Sequence, residues 1–360
     1  MDDPFRKITE RVRAFIGGED GDFDELARDL FALQYEHVEP YRHLCESRGV
    51  TPKNADTIPA IHTTAFKEFE ITSLPSNERT TVFHSSGTTG QTPSRHFHNA
   101  DSLALYEDSV RAWFEPHLRP DEMENIMTLT PPPEGVPHSS LVHMFDIVRP
   151  NVVPMGRVDE DGKWALEMDI QDSLSQHAIA PILLMGTALS FLQLAGGIPP
   201  HQNTLLPHGS RVLETGGYKS QKIEHTKTEL HEFIGRNYGL KPEDIVSEYG
   251  MCELSSQAYD TVAGQRGPRR FRFPPWARAR IVSPEHGREV ALGETGLLEA
   301  IDLGNVRSVL AVRTADLAIR HEDGFELIGR AKQSEPRGCS LNASNLDNLR
   351  ADEARSRPHA

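Results

Sequence analysis

The spacing of hydrophobic residues changes along the chain. From Asp22 to about Glu46 apolar side chains return every three or four positions, and this spacing predicts a helix. The same spacing predicts a helix from about Asp101 and another from Lys222 to Tyr238. Short apolar runs between turn residues predict strands at Thr80–Phe83, Asn125–Thr130 and Arg211–Glu214.

A second change of pattern divides the chain near residue 265. From Phe271 to Leu327 short apolar runs alternate with Gly, Pro and Asp turns. Strand–helix alternation followed by a strand-rich part predicts an α/β fold with a β-rich subdomain. We therefore predict one domain over residues 1–330, with its β-rich part at about 265–330, and a short polar tail over residues 331–360.

The composition narrows the class of protein. The chain has 360 residues, of which 37% are hydrophobic and 25% charged, and its formal net charge is −15. That charge disfavours binding to nucleic acid. No apolar segment is long enough to predict a signal peptide or a membrane span. The three cysteines are too scattered for a disulfide framework or a zinc site, so we predict a cytoplasmic protein.

Seventeen histidines raise the question of a metal site. His96 and His98 would share one face of a strand, but the sequence offers no third ligand. Solvated or hydrogen-bonded histidines are the favoured interpretation.

A loop rich in hydroxyl groups and glycine carries the strongest chemical signal. It reads His84-Ser85-Ser86-Gly87-Thr88-Thr89-Gly90, and Arg95 follows it. Glycines let backbone N–H groups converge on an anion, while hydroxyls and a guanidinium add donors. The spacing is not that of a Walker loop. The pattern indicates a triphosphate site, and a polar turn between strands is the alternative.

Three further patches could serve a nucleotide. Glu214-Thr215-Gly216-Gly217 ends a strand with bare backbone, against which a flat ring could lie. Tyr249-Gly250-Met251-Cys252-Glu253 offers an aromatic face and a carboxylate suited to Mg²⁺. Asp316 follows Arg313-Thr314-Ala315 and could accept hydrogen bonds from ribose hydroxyls. Taken singly, a tight turn, a surface acid or a turn aspartate would explain each patch.

The order of these patches resembles that in adenylate-forming enzymes, the superfamily of acyl-CoA synthetases, adenylation domains and luciferases. Within it the chain is most similar to the bacterial acyl-protein synthetases of the LuxE type. The segments that carry the closer resemblance are Glu214-Thr215-Gly216-Gly217-Tyr218-Lys219, Glu248-Tyr249-Gly250-Met251-Cys252-Glu253-Leu254, Pro274-Pro275-Trp276, Asp302-Leu303-Gly304-Asn305 and Arg337-Gly338-Cys339-Ser340-Leu341. The resemblance extends from about Gln34 to Leu341.

The resemblance implies both a reaction and roles for residues. A carboxylate attacks the α-phosphate of Mg-ATP to give an acyl-adenylate, and the acyl group then passes to a thiol. The implied metal ligand is Glu253. The implied ATP-binding residues are Ser85, Ser86, Gly87, Thr88, Thr89, Gly90 and Arg95 for the phosphates, Glu214, Gly216, Gly217, Tyr249 and Gly250 for the base, and Asp316 and Arg330 for the ribose or phosphates.

The chain departs from the family pattern at four places. Ser94-Arg95 replaces a lysine, Cys252 replaces a threonine, and Ala315 replaces a glycine. Only 30 residues follow Arg330, where larger relatives have a mobile domain with a catalytic lysine. The resemblance therefore implies an adenylate-forming domain that lacks a full C-terminal lysine domain.

Cys339 is the predicted acyl-accepting residue. The neighbouring Arg337 favours the thiolate, and a thiol near a mobile chain end could carry an acyl group to a partner. A small buried side chain is the alternative. The resemblance thus implies an ATP- and Mg²⁺-dependent ligase that loads a fatty acid onto Cys339 and passes it to a partner such as a reductase. An acyl-CoA or amide-forming ligase and a catalytically silent binding subunit are the other possibilities.

Overall fold

The computed structural model describes residues 3–85, 92–123, 125–160, 162–167, 170, 174, 179–196, 205–216 and 226–331. Its helices are α1 (Arg6–Ile16), α2 (Phe23–His37), α3 (Glu39–Ser47), α4 (Ala65–Glu68), α5 (Ala100–Leu118), α6 (Ser140–Ile147), α7 (Ala188–Gly196) and α8 (Lys227–Tyr238). Its strands are β1 (Ile61–His62), β2 (Thr81–His84), β3 (Arg95–His98), β4 (Asn125–Thr128), β5 (Val153–Pro154), β6 (Gly156–Val158), β7 (Trp164–Leu166), β8 (Ile182–Thr187), β9 (Arg211–Thr215), β10 (Ile245–Tyr249), β11 (Ala258–Tyr259), β12 (Ala277–Val282), β13 (Thr295–Asp302), β14 (Ala311–His321) and β15 (Gly324–Arg330).

The chain forms two compact units. The first comprises Met1–Val82, Thr92–Ser102 and Pro275–Ala360, and the second comprises Phe83–Gln91 and Leu103–Pro274. The α/β fold class is confirmed, and the strands from β12 to β15 fall in the part predicted to be β-rich. The boundaries at residues 265 and 330 stay predictions.

The second unit is built on a six-stranded sheet. Its strands lie in the order β11-β10-β9-β8-β4-β5, and all of them are parallel except β11. The chain order changes direction between β4 and β8, so the carboxyl ends of these strands flank the kind of crevice where open α/β sheets bind ligands. Apolar runs without alternation, such as Ile182–Met185, are buried on both faces of the sheet.

Two hydrophobic clusters cover the two faces of this sheet. One packs Tyr106, Val110 and Phe114 of α5 with Met144 and Phe145 of α6. The other packs Phe191 and Leu194 of α7 with Leu230 and Ile234 of α8. Helices on both faces make this unit a doubly wound α/β layer structure.

The first unit contains a second sheet. Its strands lie in the order β1-β14-β13-β12. Strand β15 also pairs with β14, along a different part of that strand from the part that pairs with β1. Gln34 of α2 ties this sheet to the helices, because its amide donates to the Asn305 carbonyl over 2.7 Å and accepts from the Leu310 N–H over 2.9 Å. This sheet carries Asp316 and Arg330.

The predicted single helix from Asp22 to Glu46 is wrong, because it is two helices. Val38 has an extended backbone with φ −110° and ψ 91°, and it ends α2 and begins α3. Pro40 lies in the first turn of α3. Proline there would clash with the carbonyl four residues earlier if the helix were continuous, so the chain breaks.

Other elements match the predictions more closely. The helix predicted from Asp101 is α5, and the three predicted strands are β2, β4 and β9. The helix predicted from Lys222 is described from Lys227 onward, and residues 222–225 lie outside the described part. No helix among the described residues is long and apolar enough to cross a membrane.

Candidate functional site

The end of β9 combines a buried charge with bare backbone. The Glu214 carboxylate is fully buried and receives two hydrogen bonds from Lys227 Nζ, at 2.6 and 2.7 Å. The Ser247 hydroxyl also donates to it, and His231 Nε2 lies 3.1 Å away. Burial would raise the pKa of Glu214, but Lys227 and His231 outweigh it and lower that pKa to about 2. Glu214 is therefore an ionised internal anchor between β9 and α8.

Gly216 follows this anchor and is open on the side where a side chain would stand. Its φ is +74°, a conformation that glycine adopts without strain, and a Cβ there would have no heavy atom within 4 Å. Its exposed backbone could lie against a flat ring, as the sequence predicts. The Glu214 side chain points into protein, so only the backbone of this segment remains available for such contact.

The end of β10 lies beside the end of β9. Tyr249 is half-buried, and its ring meets Phe271 and Phe273 edge to face, at 6.1 and 6.4 Å between ring centroids. Gly250 follows it, and a Cβ at Gly250 would collide with the Glu248 carboxylate. A side chain at this position would have to displace the Glu248 carboxyl group.

Cys252 and Glu253 form a buried pair. Both are 5% exposed, and the Cys252 thiol donates a hydrogen bond to Glu253 Oε2 over 3.2 Å. The thiol thus supplies a hydrogen bond to the neighbouring carboxylate at the position where the family pattern has a threonine hydroxyl. Neither Cys252 nor Cys45 forms a disulfide.

Glu253 fits only a particular kind of metal site. The described residues contain no group of three or more His, Cys, Asp or Glu side chains placed to hold a metal ion. Mg²⁺ is commonly held by one or two carboxylates, with substrate phosphates and water supplying the rest. A single buried carboxylate fits Mg²⁺ bound together with a nucleotide.

Asp316 and Arg330 lie together on the sheet of the first unit. They are directly paired in the register of β14 and β15. Arg330 Nε donates to Asp316 Oδ1 over 2.7 Å, and the Arg330 side chain is 78% exposed. The structure therefore brings together Asp316, for which the resemblance implies a contact with the ribose, and Arg330, for which it implies a position near the ribose or phosphates.

Arg95 and Ser85 flank the hydroxyl-rich loop. Arg95 in β3 forms a 3.3 Å ion pair with Glu70 and lies 5.7 Å from the centre of the Phe97 ring. Ser85 follows β2 directly. The remaining predicted residues lie outside the described part of the chain: Ser86, Gly87, Thr88, Thr89, Gly90, Gly217 and Cys339.

His96 and His98 lie in β3, where both are buried with ring centroids 4.4 Å apart. His96 also meets the Phe66 ring edge to face. The strand places the two rings on one face as predicted, and the described residues provide no metal cluster there.

Comparison with known proteins agrees with the sequence resemblance. Residues 201–346 match the family model of the acyl-protein synthetase LuxE. This range contains the Gly-Gly turn, the Tyr249 motif, Asp316 and Cys339. The resemblance to the acyl-protein synthetases is confirmed.

Two curated relatives extend this similarity over most of the chain. The long-chain-fatty-acid–luciferin-component ligase of Aliivibrio fischeri is 24% identical, over 90% of this chain and 88% of its own length. The ligase of the same name from Vibrio harveyi is 22% identical, over 91% of this chain and 88% of its own length.

A solved structure with a similar fold is 2-hydroxyisobutyryl-CoA ligase in complex with 2-HIB-AMP. It matches 85% of this chain and 67% of its own length, with a TM-score of 0.64 and 15% identity. At this identity the likeness shows the fold alone, and it agrees with the α/β fold class. The chain spans about half the length, 49%, of MatB structures that it also matches.

Proposed function

We propose that the protein is an ATP-dependent ligase of the acyl-protein synthetase type, which activates a fatty acid as an acyl-adenylate. The observation that carries the proposal is the adjacency of two glycine-containing strand ends, Thr215-Gly216 and Tyr249-Gly250, with the buried Glu253 carboxylate close behind in the chain. The similarity to ligases named for long-chain fatty acids supports the substrate class.

In the first half-reaction, the acid's carboxylate oxygen attacks the α-phosphorus of ATP and pyrophosphate leaves. Little covalent chemistry falls to the protein in such a transfer, and positioning with charge neutralisation carries it. The Gly216 backbone and the Tyr249 ring would hold the adenine between them. Residues 85–90 and Arg95 would donate to the phosphates, and Asp316 would accept hydrogen bonds from the ribose.

Mg²⁺ would be held by Glu253 together with the nucleotide's own oxygens. Its chemistry there would be the neutralisation of phosphate charge. The hydrogen bond from Cys252 fixes the orientation of the Glu253 carboxylate that would face this ion.

In the second half-reaction, the Cys339 thiolate would attack the acyl carbon, with AMP as the leaving group. A thiolate is the nucleophilic form of cysteine, and the resulting thioester could be handed to a protein partner such as an acyl reductase. The family match includes Cys339, which supports its choice. We place the protein in the cytoplasm, where its scattered cysteines would remain reduced.

The two half-reactions have separate readouts. Pyrophosphate release should depend on added acid, and a panel of carboxylic acids of increasing chain length should identify the substrate. Radiolabelled acid plus ATP should leave a hydroxylamine-labile acyl group on the protein.

Each negative result has a distinct meaning. Absence of acid-dependent pyrophosphate release across the panel would reject adenylation and favour a silent binding subunit. Pyrophosphate release without protein label, but with acyl-CoA formed when coenzyme A is added, would identify a CoA ligase instead.

A further inference from the structure

A buried carboxylic acid lies directly behind the two strand ends of the candidate site. Glu248 is 5% exposed and precedes Tyr249. Its Oε2 accepts a hydrogen bond from the Thr215 hydroxyl on the neighbouring strand. Its Oε1 fills the space beside Gly250 where a Cβ would stand. One carboxyl group therefore contacts both segments that border the proposed adenine position.

The pairing of β9 with β10 stops at this contact. The last residues in register are Glu248 and Thr215, and Gly216 and Gly250 lie just beyond the sheet. Because glycines add no side-chain packing of their own, the separation of these segments depends on what holds the final pair together. The Thr215–Glu248 hydrogen bond is the side-chain contact at that point.

Glu248 differs electrostatically from its neighbours. Burial raises its pKa to about 7, where the Thr215 hydrogen bond and Lys227 act against the rise and the charge of Glu214 adds to it. Tyr106 on α5 and Tyr259 on β11 also face this carboxyl, and burial raises the pKa of both hydroxyls further above their ordinary value. Both tyrosines therefore stay neutral in the range where Glu248 titrates.

The other charged groups near Glu248 are in direct contact with Glu214. Lys227 and His231 contact the Glu214 carboxylate, which has a pKa of about 2 and stays ionised. Loss of the Glu248 proton would therefore add a buried negative charge that the charge of Glu214 opposes, close to the position proposed for the nucleotide. Like charges in a partly desolvated region repel strongly.

We propose that Glu248 is a positioning residue for the nucleotide, whose carboxyl group ties Thr215 to β10 and so sets the spacing between Gly216 and Tyr249. This inference rests on the proposed function. It predicts that nucleotide affinity weakens when Glu248 ionises, whereas the chemical step changes less.

The experiment measures KM for ATP and kcat for acid-dependent pyrophosphate release between about pH 6 and about pH 8.5, a range that spans the titration. Glu248→Gln keeps the shape and cannot ionise. The wild-type KM for ATP should rise about threefold to tenfold from the low to the high end of this pH range, because ionised Glu248 repels the negatively charged nucleotide. The KM of Glu248→Gln should stay near the wild-type value at low pH.

Two further variants sharpen the result. Thr215→Val removes the hydrogen bond and should raise KM for ATP at every pH. Glu232→Gln is the matched control, because Glu232 is an exposed carboxylate on α8 in the same unit, and it should keep the wild-type profile. Since phosphate groups themselves titrate near pH 6, the ratio of variant to wild type carries the conclusion.

An active wild type with the same pH dependence in Glu248→Gln would overturn the role of Glu248 and leave the proposed function standing. The inference would also fall if kcat alone followed the pH, or if Thr215→Val kept the wild-type KM. Absence of pyrophosphate release from the wild type at every pH would overturn the proposed function, and this inference with it.

Discussion

Arg330 donates a hydrogen bond to Asp316 over 2.7 Å, across two paired strands of the first unit. The Asp316 side chain is 10% exposed and the Arg330 side chain is 78% exposed. A mostly solvated arginine is therefore paired with a largely buried carboxylate.

Asp316→Ala should weaken ATP binding about tenfold to a hundredfold, because a charged hydrogen-bonding partner contributes about 1.5–3 kcal/mol. Equilibrium titration with ATP measures the change. Arg330→Gln is the companion variant and should have a smaller effect, since its side chain is mostly solvated. ATP affinity within twofold of wild type in Asp316→Ala would remove Asp316 from the ribose site.

Glu253→Gln should raise the Mg²⁺ concentration needed for pyrophosphate release, because one oxygen ligand loses its charge. Circular dichroism should be unchanged, since glutamine has the same shape. Glu243→Gln, which alters a carboxylate paired with the exposed Arg266 in the same unit, should leave Mg²⁺ dependence unaltered. Equal Mg²⁺ requirements in wild type and Glu253→Gln would contradict the assignment.

Protonation of Glu214 in acid should lower the free energy of unfolding of the protein. Its pKa falls from an ordinary 4.5 to about 2, because Lys227 and His231 outweigh the effect of burial. A lowered pKa contributes stability that is present above about pH 4.5 and is lost as the pH falls through about 2. At about 1.4 kcal/mol per pH unit, this contribution is on the order of 3 kcal/mol. Urea unfolding at a series of pH values measures it.

Glu214→Gln should lower the free energy of unfolding at neutral pH and flatten its dependence on pH below about 4.5. The exposed Glu232→Gln provides the comparison for loss of one negative charge. A Glu214→Gln protein that loses stability in acid as steeply as the wild type would show that other carboxylates dominate.

Cys339→Ser should separate the two half-reactions. Pyrophosphate release should continue, because the residues proposed to bind ATP are unchanged. The hydroxylamine-labile label should disappear, because a serine hydroxyl is a much poorer nucleophile than a thiolate. Cys45→Ser and Cys252→Ser serve as controls and should keep the label. A labelled Cys339→Ser protein would exclude the covalent route through this residue.

The residues whose proposed roles depend on local motifs can be named from the sequence, and their roles stay predictions. Gly216, Tyr249, Glu253 and Asp316 each stand beside a glycine, an aromatic ring or a strand end that is visible in a few consecutive positions. Asp316 and Arg330 are paired across β14 and β15, and their roles towards the ribose or phosphates stay predictions.

The sequence did not predict the groups that support these residues. Lys227 lies 13 positions from Glu214, and Thr215 lies 33 positions from Glu248. The members of such pairs come into contact only after β9, α8 and β10 have packed. The spacing of hydrophobic residues in the sequence does not predict these contacts. The break at Val38 was visible in Pro40, but the continuous apolar spacing around it favoured one helix.

Polar side chains determine which residues of β9 point to each side of the sheet. Val212 and Leu213 are equally apolar, so burial alone would tolerate a shift of this strand by one residue. Glu214 meets Lys227, His231 and Ser247 towards α8, whereas Thr215 meets Glu248 on the side of Tyr106. A one-residue slip would present a hydroxyl to the lysine and a second carboxylate to Glu248. The two acids thus determine the alignment of the central strands. The same alignment places Gly216 and Tyr249 at a common edge of the sheet.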